Sequence, residues 1–253
     1  MRRIRLTAPP QVDGVVTFAP SEARYVARVL RLRVGDEVAA FDGHGGEWSL
    51  RLIAVAPDRV QGQLISAMAT ADAPRLPLIL GQALPNKSSK MDLIVEKGSE
   101  LGLTTLAPLY TERTVVREAP GRTATKLSRW GRIAEAAARQ CGRRTLLDIQ
   151  APQAFRAFCV AHQSAPTKII CWEQEPHRGI REVLEAPMPS GAVAVLIGPE
   201  GGWTEEEVAW ARTHGFITVS LGPRMLRTET AAVTLLGLIR YAQSELGPQG
   251  QRG

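Results

Sequence analysis

No apolar run in the 253 residues approaches the ~20 needed to span a bilayer, so neither a membrane-crossing helix nor a membrane partner is expected. The basic opening Met1-Arg2-Arg3-Ile4-Arg5 is not followed by the apolar core of a signal peptide. Cysteine is scarce. Cys141, Cys159 and Cys171 are odd in number and unrelated in spacing, which speaks against a disulfide framework and a cysteine zinc site. These absences lead us to expect a protein of the reducing cytoplasm. The histidines His44, His162, His177 and His214 have no partners at metal-ligand spacing, so no metal is expected. The GxxxxGKS/T and GxGxxG patterns are also missing, which removes the common phosphate and dinucleotide cradles.

What is present supports a globular α/β protein. A hydrophobic content of 44% suffices for a real core, and the length allows one large domain or two small ones. Ala69–Pro77, small and proline-containing, marks a break. Residues 1–72 then form one domain, 76–246 a second, and 247–253 a polar tail. The net charge of +6 is unevenly spread: residues 74–150 carry 13 Lys/Arg against 7 Asp/Glu, chiefly within Arg113–Arg144. A clustered basic patch points to a polyanionic substrate such as nucleic acid, and a solvated helix face is the plainer alternative.

Residues 1–72 read as a small β-barrel. Asp36–Phe41 and Glu47–Val55 flank the glycine loop Asp42–Gly46, a hairpin signal, and Val60–Ser66 is a further strand. A helix near Ser21–Leu30 directs Val26, Val29 and Leu30 inward. Its Arg24, Arg28 and Arg31 fall at i, i+4 and i+7, on one face that either grips phosphates or simply meets water. In the second domain strands alternate with helices: Leu78–Leu84, Met91–Leu101, Leu106–Leu109, Ser128–Gln140, Lys168–Trp172 and Val193–Ile197. That alternation indicates a mostly parallel sheet. The helix Ser128–Gln140 ends in a basic cluster of Arg139, Gln140, Arg143 and Arg144. The last helix, Thr228–Leu246, is expected to be capped by Thr228. Its wide apolar face suits burial or a dimer interface.

The stretch Val193–Arg227 organises the chain. Val193–Ile197 is an apolar, β-branched run, read as a buried strand, and Gly198-Pro199-Glu200-Gly201-Gly202 breaks it sharply. Thr204 and Glu207 then form a capping box, with Trp203 and Val208 as its hydrophobic staple. That helix runs to about His214 and stops at Gly215. Ile217–Leu221 is a second strand, followed by Gly222-Pro223. Ligands of open α/β sheets bind at the carboxyl ends of the strands, where both glycine turns lie. Glu205, Glu206 and Glu207 at the helix start repel phosphate, so a neutral or cationic ligand held by backbone groups is expected, unless both turns are merely turns.

Two motifs carry a family resemblance. LIGPEGGWT, Leu196–Thr204, and LGPRMLRTETA, Leu221–Ala231, resemble the two signatures of the ribosomal RNA small subunit methyltransferase E family. That family belongs to the SPOUT superfamily of S-adenosylmethionine-dependent methyltransferases. KMDLIVEKGSELGL, Lys90–Leu103, and AAARQCGR, Ala136–Arg143, match its other blocks in type and order. The resemblance implies a PUA-like barrel over residues 1–72 that helps bind RNA. It implies a SPOUT domain over 76–246 whose end threads through a loop as a trefoil knot, a feature otherwise almost absent from proteins. It also implies a homodimer.

The activity it implies is methylation of N3 of one uridine in 16S rRNA or the small ribosomal subunit. S-adenosylmethionine would be held by Leu196, Gly198, Pro199, Glu200, Gly201, Leu221, Gly222, Met225 and Leu226. Met225 stands where relatives usually have Ile or Val. The RNA would meet Arg24, Arg28, Arg31, Arg139, Gln140 and Arg143. Uracil N3 is protonated and must lose its proton or have the charge on its carbonyls stabilised. Glu229 and Arg227 are the expected catalytic pair, unless Glu229 only charges the start of the last helix. Two alternatives stand beside this reading: a SPOUT enzyme acting on a tRNA ribose, and an RNA-binding module with a vestigial cofactor site.

Overall fold

Alternation within Val193–Ile197 sets the architecture of the larger unit. Val193, Val195 and Ile197 belong to one buried cluster, and Ala194 and Leu196 to another. A strand buried on both faces is the mark of a parallel sheet covered by helices on each side. The computed structural model describes residues 2–10, 14–68, 76–114, 121–186 and 189–246. The chain divides into two units, Met1–Arg75 with Glu135–Leu146, and Leu76–Ala134 with Leu147–Gly253.

The first unit holds β1 (Arg2–Arg5), β2 (Val15–Thr17), α1 (Pro20–Arg24), β3 (Glu37–Phe41), β4 (Glu47–Val55) and β5 (Val60–Ala67). The expected small barrel is a five-stranded sheet in the order β1-β3-β4-β5-β2, antiparallel except for the β1–β3 pair. Its core gathers Ile4, Phe18, Val26, Val38, Leu50, Leu52 and Val60. The hairpin loop forms as expected. The Asp42 carboxylate accepts from the N–H groups of His44 at 2.7 Å and Gly46 at 3.0 Å, closing the turn on itself.

The expected helix over Ser21–Leu30 differs. After α1 the chain widens into a π-helical turn, Tyr25–Val29, closed by the Leu30 N–H on the Tyr25 carbonyl at 2.9 Å. The wider turn moves later residues off the helical face. Val26 stays buried, but Val29 is 66% exposed instead of facing inward, and Leu30 is half-buried. Arg31 then adopts φ 52°, so it does not continue the stripe begun by Arg24 and Arg28.

The second unit holds β6 (Leu78–Ala83), α2 (Ser88–Glu100), β7 (Thr105–Tyr110), α3 (Arg122–Cys141), β8 (Asp148–Ile149), β9 (Gln153–Ala154), α4 (Phe155–Ala161), β10 (Thr167–Cys171), α5 (Ile180–Glu185), β11 (Val193–Ile197), α6 (Glu205–Thr213), β12 (Ile217–Val219) and α7 (Thr228–Ala242). The last turns of α3, from Glu135, belong to the first unit, which the linear reading did not anticipate. The expected break at Ala69–Pro77 lies mostly outside the described residues, as does the tail 247–253. The seven-stranded sheet runs β12-β10-β11-β6-β7-β8, with β9 also on β7, and every pair is parallel. Met91, Ile94, Leu235, Leu236 and Ile239 of α2 and α7 join one core cluster, and Phe158, Val208 and Ala211 of α4 and α6 the other. Gly81 in β6 admits this packing, because a Cβ there would sit 2.8 Å from Leu196 and 2.9 Å from Phe158.

From the edge strand β12 the chain returns to the middle of the sheet, where α7 packs against α2 and β11. That return is the course the expected knot requires. Arg240 fastens the far end of α7. Although only 1% exposed, it donates to the carbonyls of Leu101 at 3.1 Å, Gly102 and Leu76 at 3.3 Å, and pairs with Glu245 at 3.1 Å. Burial lowers its pKa and Glu245 opposes that shift. Replacing Arg240 by Met keeps the apolar stem and orphans several buried carbonyls. We expect a loss of about 2–4 kcal/mol, since each unsatisfied buried group costs about 1–3 kcal/mol. The midpoint of urea unfolding checks this.

Candidate functional site

Both glycine turns leave the carboxyl end of the parallel sheet, one after β11 and one after β12. They face each other across a cavity of about 550 Å³. The first turn contributes Gly198 to Gly202 and the second Ser220 to Arg227, while Cys171 at the end of β10 and Trp172 and Glu173 after it also line the cavity.

Local sequence explains the first turn. Thr204 caps α6: its hydroxyl accepts from the Glu207 N–H at 3.2 Å, and Glu207 returns the bond to the Thr204 N–H at 3.1 Å. Trp203 is buried and donates its indole N–H to the Cys171 carbonyl at 2.9 Å. Its ring lies 3.1–3.4 Å from where a Cβ on Gly198 would stand. Gly202 has φ 70°, and a Cβ there would overlap the Glu173 carboxylate. A Cβ on Gly201 would press on the Arg113 stem at 3.2 Å. Arg113 also donates to the Gly201 carbonyl at 2.8 Å. Gly222 alone among these is open on its Cβ side, but its φ of 118° suits glycine only.

The second turn is fastened to the first by Thr228. Its expected capping role is not observed: Arg227 is the N-cap of α7, with no side-chain cap bond. The Thr228 hydroxyl instead donates to the Gly198 carbonyl at 2.7 Å and accepts from the Gln82 amide at 2.9 Å. A buried hydroxyl needs partners, and the sheet centre supplies them before the helix end does.

Of the expected ligand-holding residues, Gly198, Pro199, Glu200, Gly201, Leu221, Gly222, Met225 and Leu226 line the cavity. Leu196 does not; it is fully buried in the core beneath α4 and α6. Arg227 lines the cavity and is exposed. Glu229 stands behind the lining, with its side chain 13% exposed and Oε2 3.7 Å from Lys90 Nζ. Lys90 also binds Glu200 Oε1 at 2.7 Å, and the Asn86 N–H reaches the same carboxylate at 3.2 Å. Burial works against ionisation of Glu200, but the bond from Lys90, with those from the backbone N–H groups of Glu200 and Asn86, holds its carboxyl below the ordinary value. Burial pushes the Cys171 thiol up to about 12, so it faces the cavity as a neutral thiol.

Lys90, Trp172 and Glu173 escaped the sequence reading as site residues, since nothing local announces that Lys90 meets Glu200, 110 positions away, or that the chain after β10 meets the turns after β11 and β12.

The basic residues separate into two groups. Arg24, Arg28 and Arg31 are exposed and form no ion pair with a described residue, and Gln140 is exposed. Arg139 is occupied: it pairs with Glu22 at 2.6 Å and with Glu135, and lies 5.1 Å over the Tyr25 ring. Arg143 is half-buried and donates to the Thr145 hydroxyl at 3.1 Å. Arg144 pairs with Glu47 at 2.6 Å. The arginines expected to form a free basic cluster therefore largely hold the first unit together.

With this geometry established, the chain can be set beside known proteins. The family described as RNA methyltransferase domain matches residues 72–240, and the RNA methyltransferase PUA domain matches 18–65. The Synechocystis protein named Ribosomal RNA small subunit methyltransferase E is 34% identical over 92% of this chain and 76% of its own length. The Bacillus subtilis protein of that name is 30% identical over 93% of this chain and 94% of its own. A putative methyltransferase from Legionella pneumophila, solved with its cofactor SAM, superposes with a TM-score of 0.86 at 30% identity, covering 95% of this chain and 97% of that one. The methyltransferase E of Neisseria gonorrhoeae bound to S-adenosyl methionine gives 0.84 at 31% identity, with the same coverage. With two glycine turns facing one cavity in an RNA methyltransferase domain, and this identity along nearly its whole length, the chain belongs to the ribosomal RNA small subunit methyltransferase E family.

Proposed function

We propose that this protein transfers a methyl group from S-adenosylmethionine to N3 of a uridine in 16S rRNA. The observation that carries the reading is the cavity between the two glycine turns, in a chain of this family. Its residues fit the cofactor. The volume, about 550 Å³, is within the usual range for a small-molecule site. Its walls are mainly backbone and apolar side chains, and the charged lining residues Glu173, Glu200, Arg224 and Arg227 balance one another, which suits a ligand held by backbone groups. Gly198, Pro199, Glu200, Gly201, Leu221, Gly222, Met225 and Leu226 would hold it. When bound, S-adenosylmethionine supplies an electrophilic methyl on a sulfonium.

The chain's own residues do the rest. Arg227, exposed on the cavity wall, would steady negative charge on the uracil oxygens. Glu229, two residues on and behind the lining, would accept the N3 proton. Alignment of the two reactants contributes up to ~7–11 kcal/mol in well-ordered sites. We further propose that the protein works in the cytoplasm, where its rRNA substrate is made. Among the described residues no helix is long and apolar enough to cross a membrane. A homodimer is supported by α7, which keeps Leu238 half-exposed and Tyr241 71% exposed after packing on the sheet. Sedimentation tests it. Mapping the modified nucleoside in 16S rRNA after reaction with the purified protein tests the activity, and an unmodified uridine overturns it.

Three outcomes follow. Gly222→Ala forces a side chain onto φ 118°, a strain of about 1–3 kcal/mol, so calorimetry is expected to show S-adenosylmethionine affinity reduced by roughly tenfold. Replacing Arg24 and Arg28 by Ala is expected to weaken RNA binding and flatten its salt dependence without changing the melting temperature. Each lost phosphate contact removes about one unit of slope. Arg139→Ala is instead expected to lower the melting temperature, since it strips Glu22 of its partner.

For the chemistry, Glu229→Gln keeps the shape and removes the base. Single-turnover methylation at saturating cofactor and RNA is expected to fall by ~100-fold or more, the scale of general-base loss. The residual rate is expected to rise with pH as uracil ionises unaided. Normal turnover in this variant would make Glu229 a helix-start charge only.

A further inference from the structure

Lys90 lies in the first turn of α2, yet its ammonium meets carboxylates from two other parts of the second unit. Nζ is 2.7 Å from Glu200 Oε1, in the glycine turn after β11, and 3.7 Å from Glu229 Oε2, in the first turn of α7. The Glu229 and Lys90 side chains are largely withdrawn from water, 13% and 18% exposed, while that of Glu200, at 29%, meets solvent at the cavity rim. The contact to Glu200 is a charge-assisted hydrogen bond, whereas 3.7 Å is too long for one. Glu229 Oε2 is buried and has no hydrogen-bond partner among the described residues. Arg227, the nearest cation along the chain, is exposed and forms no ion pair with a described residue.

We propose that Lys90 is a positioning residue for methyl transfer, sharing one ammonium between the cofactor wall and the carboxylate behind it. The proposal rests on the methyltransferase reading above. An ammonium carries three donors, so holding Glu200 leaves others for Glu229. A shift of about 1 Å in Nζ would bring it within hydrogen-bond range of Glu229 Oε2, satisfying the orphan atom. Because Glu200 lines the cavity and Glu229 does not, Lys90 is the link through which occupancy of the turn reaches the proposed base. Two carboxylates share this corner, and the Lys90 ammonium lies between them. Lysine suits the role better than arginine, since a compact charge on a flexible stem can serve two partners in turn.

The test is a pair of double-mutant cycles on the full-length protein, since coupled residues give non-additive effects and independent ones do not. In the first, S-adenosylmethionine affinity is measured by calorimetry for Lys90→Met, Glu200→Gln and both together. Lys90→Met is expected to weaken binding by roughly tenfold alone and by less than about twofold once Glu200 is replaced. In the second, single-turnover methylation of 16S rRNA at saturating cofactor is measured for Lys90→Met, Glu229→Gln and both. The Lys90 substitution is expected to slow the step by roughly tenfold in the parent and hardly at all beside Glu229→Gln. Lys90→Arg, which keeps the charge, is expected to recover most of the affinity and part of the rate. Additive losses in either cycle, or a Lys90→Met protein equal to the parent, overturn the proposal. Failure of the unsubstituted protein to methylate 16S rRNA would instead overturn the underlying reading, and the calorimetric cycle still decides whether Lys90 governs the cofactor wall.

Discussion

The hydroxyl of Thr228 is where the two halves of the site meet. It donates to the Gly198 carbonyl and accepts from Gln82, and its residue is 5% exposed. Gly198 opens the first turn, Gln82 lies in β6 at the middle of the sheet, and Thr228 begins α7. These bonds tie three distant segments at the point where the chain comes back from the sheet edge. A bond of this kind contributes only about 1 kcal/mol net, but an unpaired hydroxyl buried here would cost more. The helix therefore gives up a side-chain cap, and its first turn takes its position from the sheet.

Given that tie, the rest of the cavity is held from outside. The Gly201 carbonyl receives Arg113, the Glu112 N–H binds Glu207 at 2.9 Å, and the Thr204 hydroxyl donates to Glu112 at 3.1 Å. Glu200 is held by Lys90 and Asn86. The loops after β6 and β7 thus grip successive residues of one turn. A turn fixed in this way keeps its backbone groups pointed without a ligand, which lowers the ordering cost when one arrives.

How much of this was legible in the sequence depended on the reach of each interaction. The α6 start was readable to the residue, because Thr204 and Glu207 satisfy each other three residues apart. Val193–Ile197 was readable because a doubly buried strand must be apolar throughout. The π-helical turn at Tyr25–Val29 was not, since one extra residue in a turn leaves the local pattern looking helical while displacing Val29 and Arg31. Thr228 was assigned to the helix cap, a local role, when its partners lie 30 and 146 positions away. Nor was the contact at Gly201 readable, since Arg113, 88 positions earlier, fills the space a side chain would need.

The same distinction changes what the net charge means. A basic excess between residues 74 and 150 suggests a surface for a polyanion, but the fold uses much of it internally. Arg129 is paired with Asp92, Arg139 with Glu22 and Glu135, and Arg144 with Glu47. In the first unit, Arg3 is likewise paired with Glu47, and Arg5 with Glu135. Such pairs present little field to a distant phosphate, because each cation is neutralised within a few ångströms and salt screens the remainder over about 10 Å. The charges left to act at range are those without a described acid beside them: Arg24, Arg28 and Arg31 among the expected residues. The exposed arginines around the π-helical turn are therefore the ones we propose for electrostatic capture of RNA, while Arg139 and Arg144 at and just after the end of α3 are held in ion pairs within the first unit.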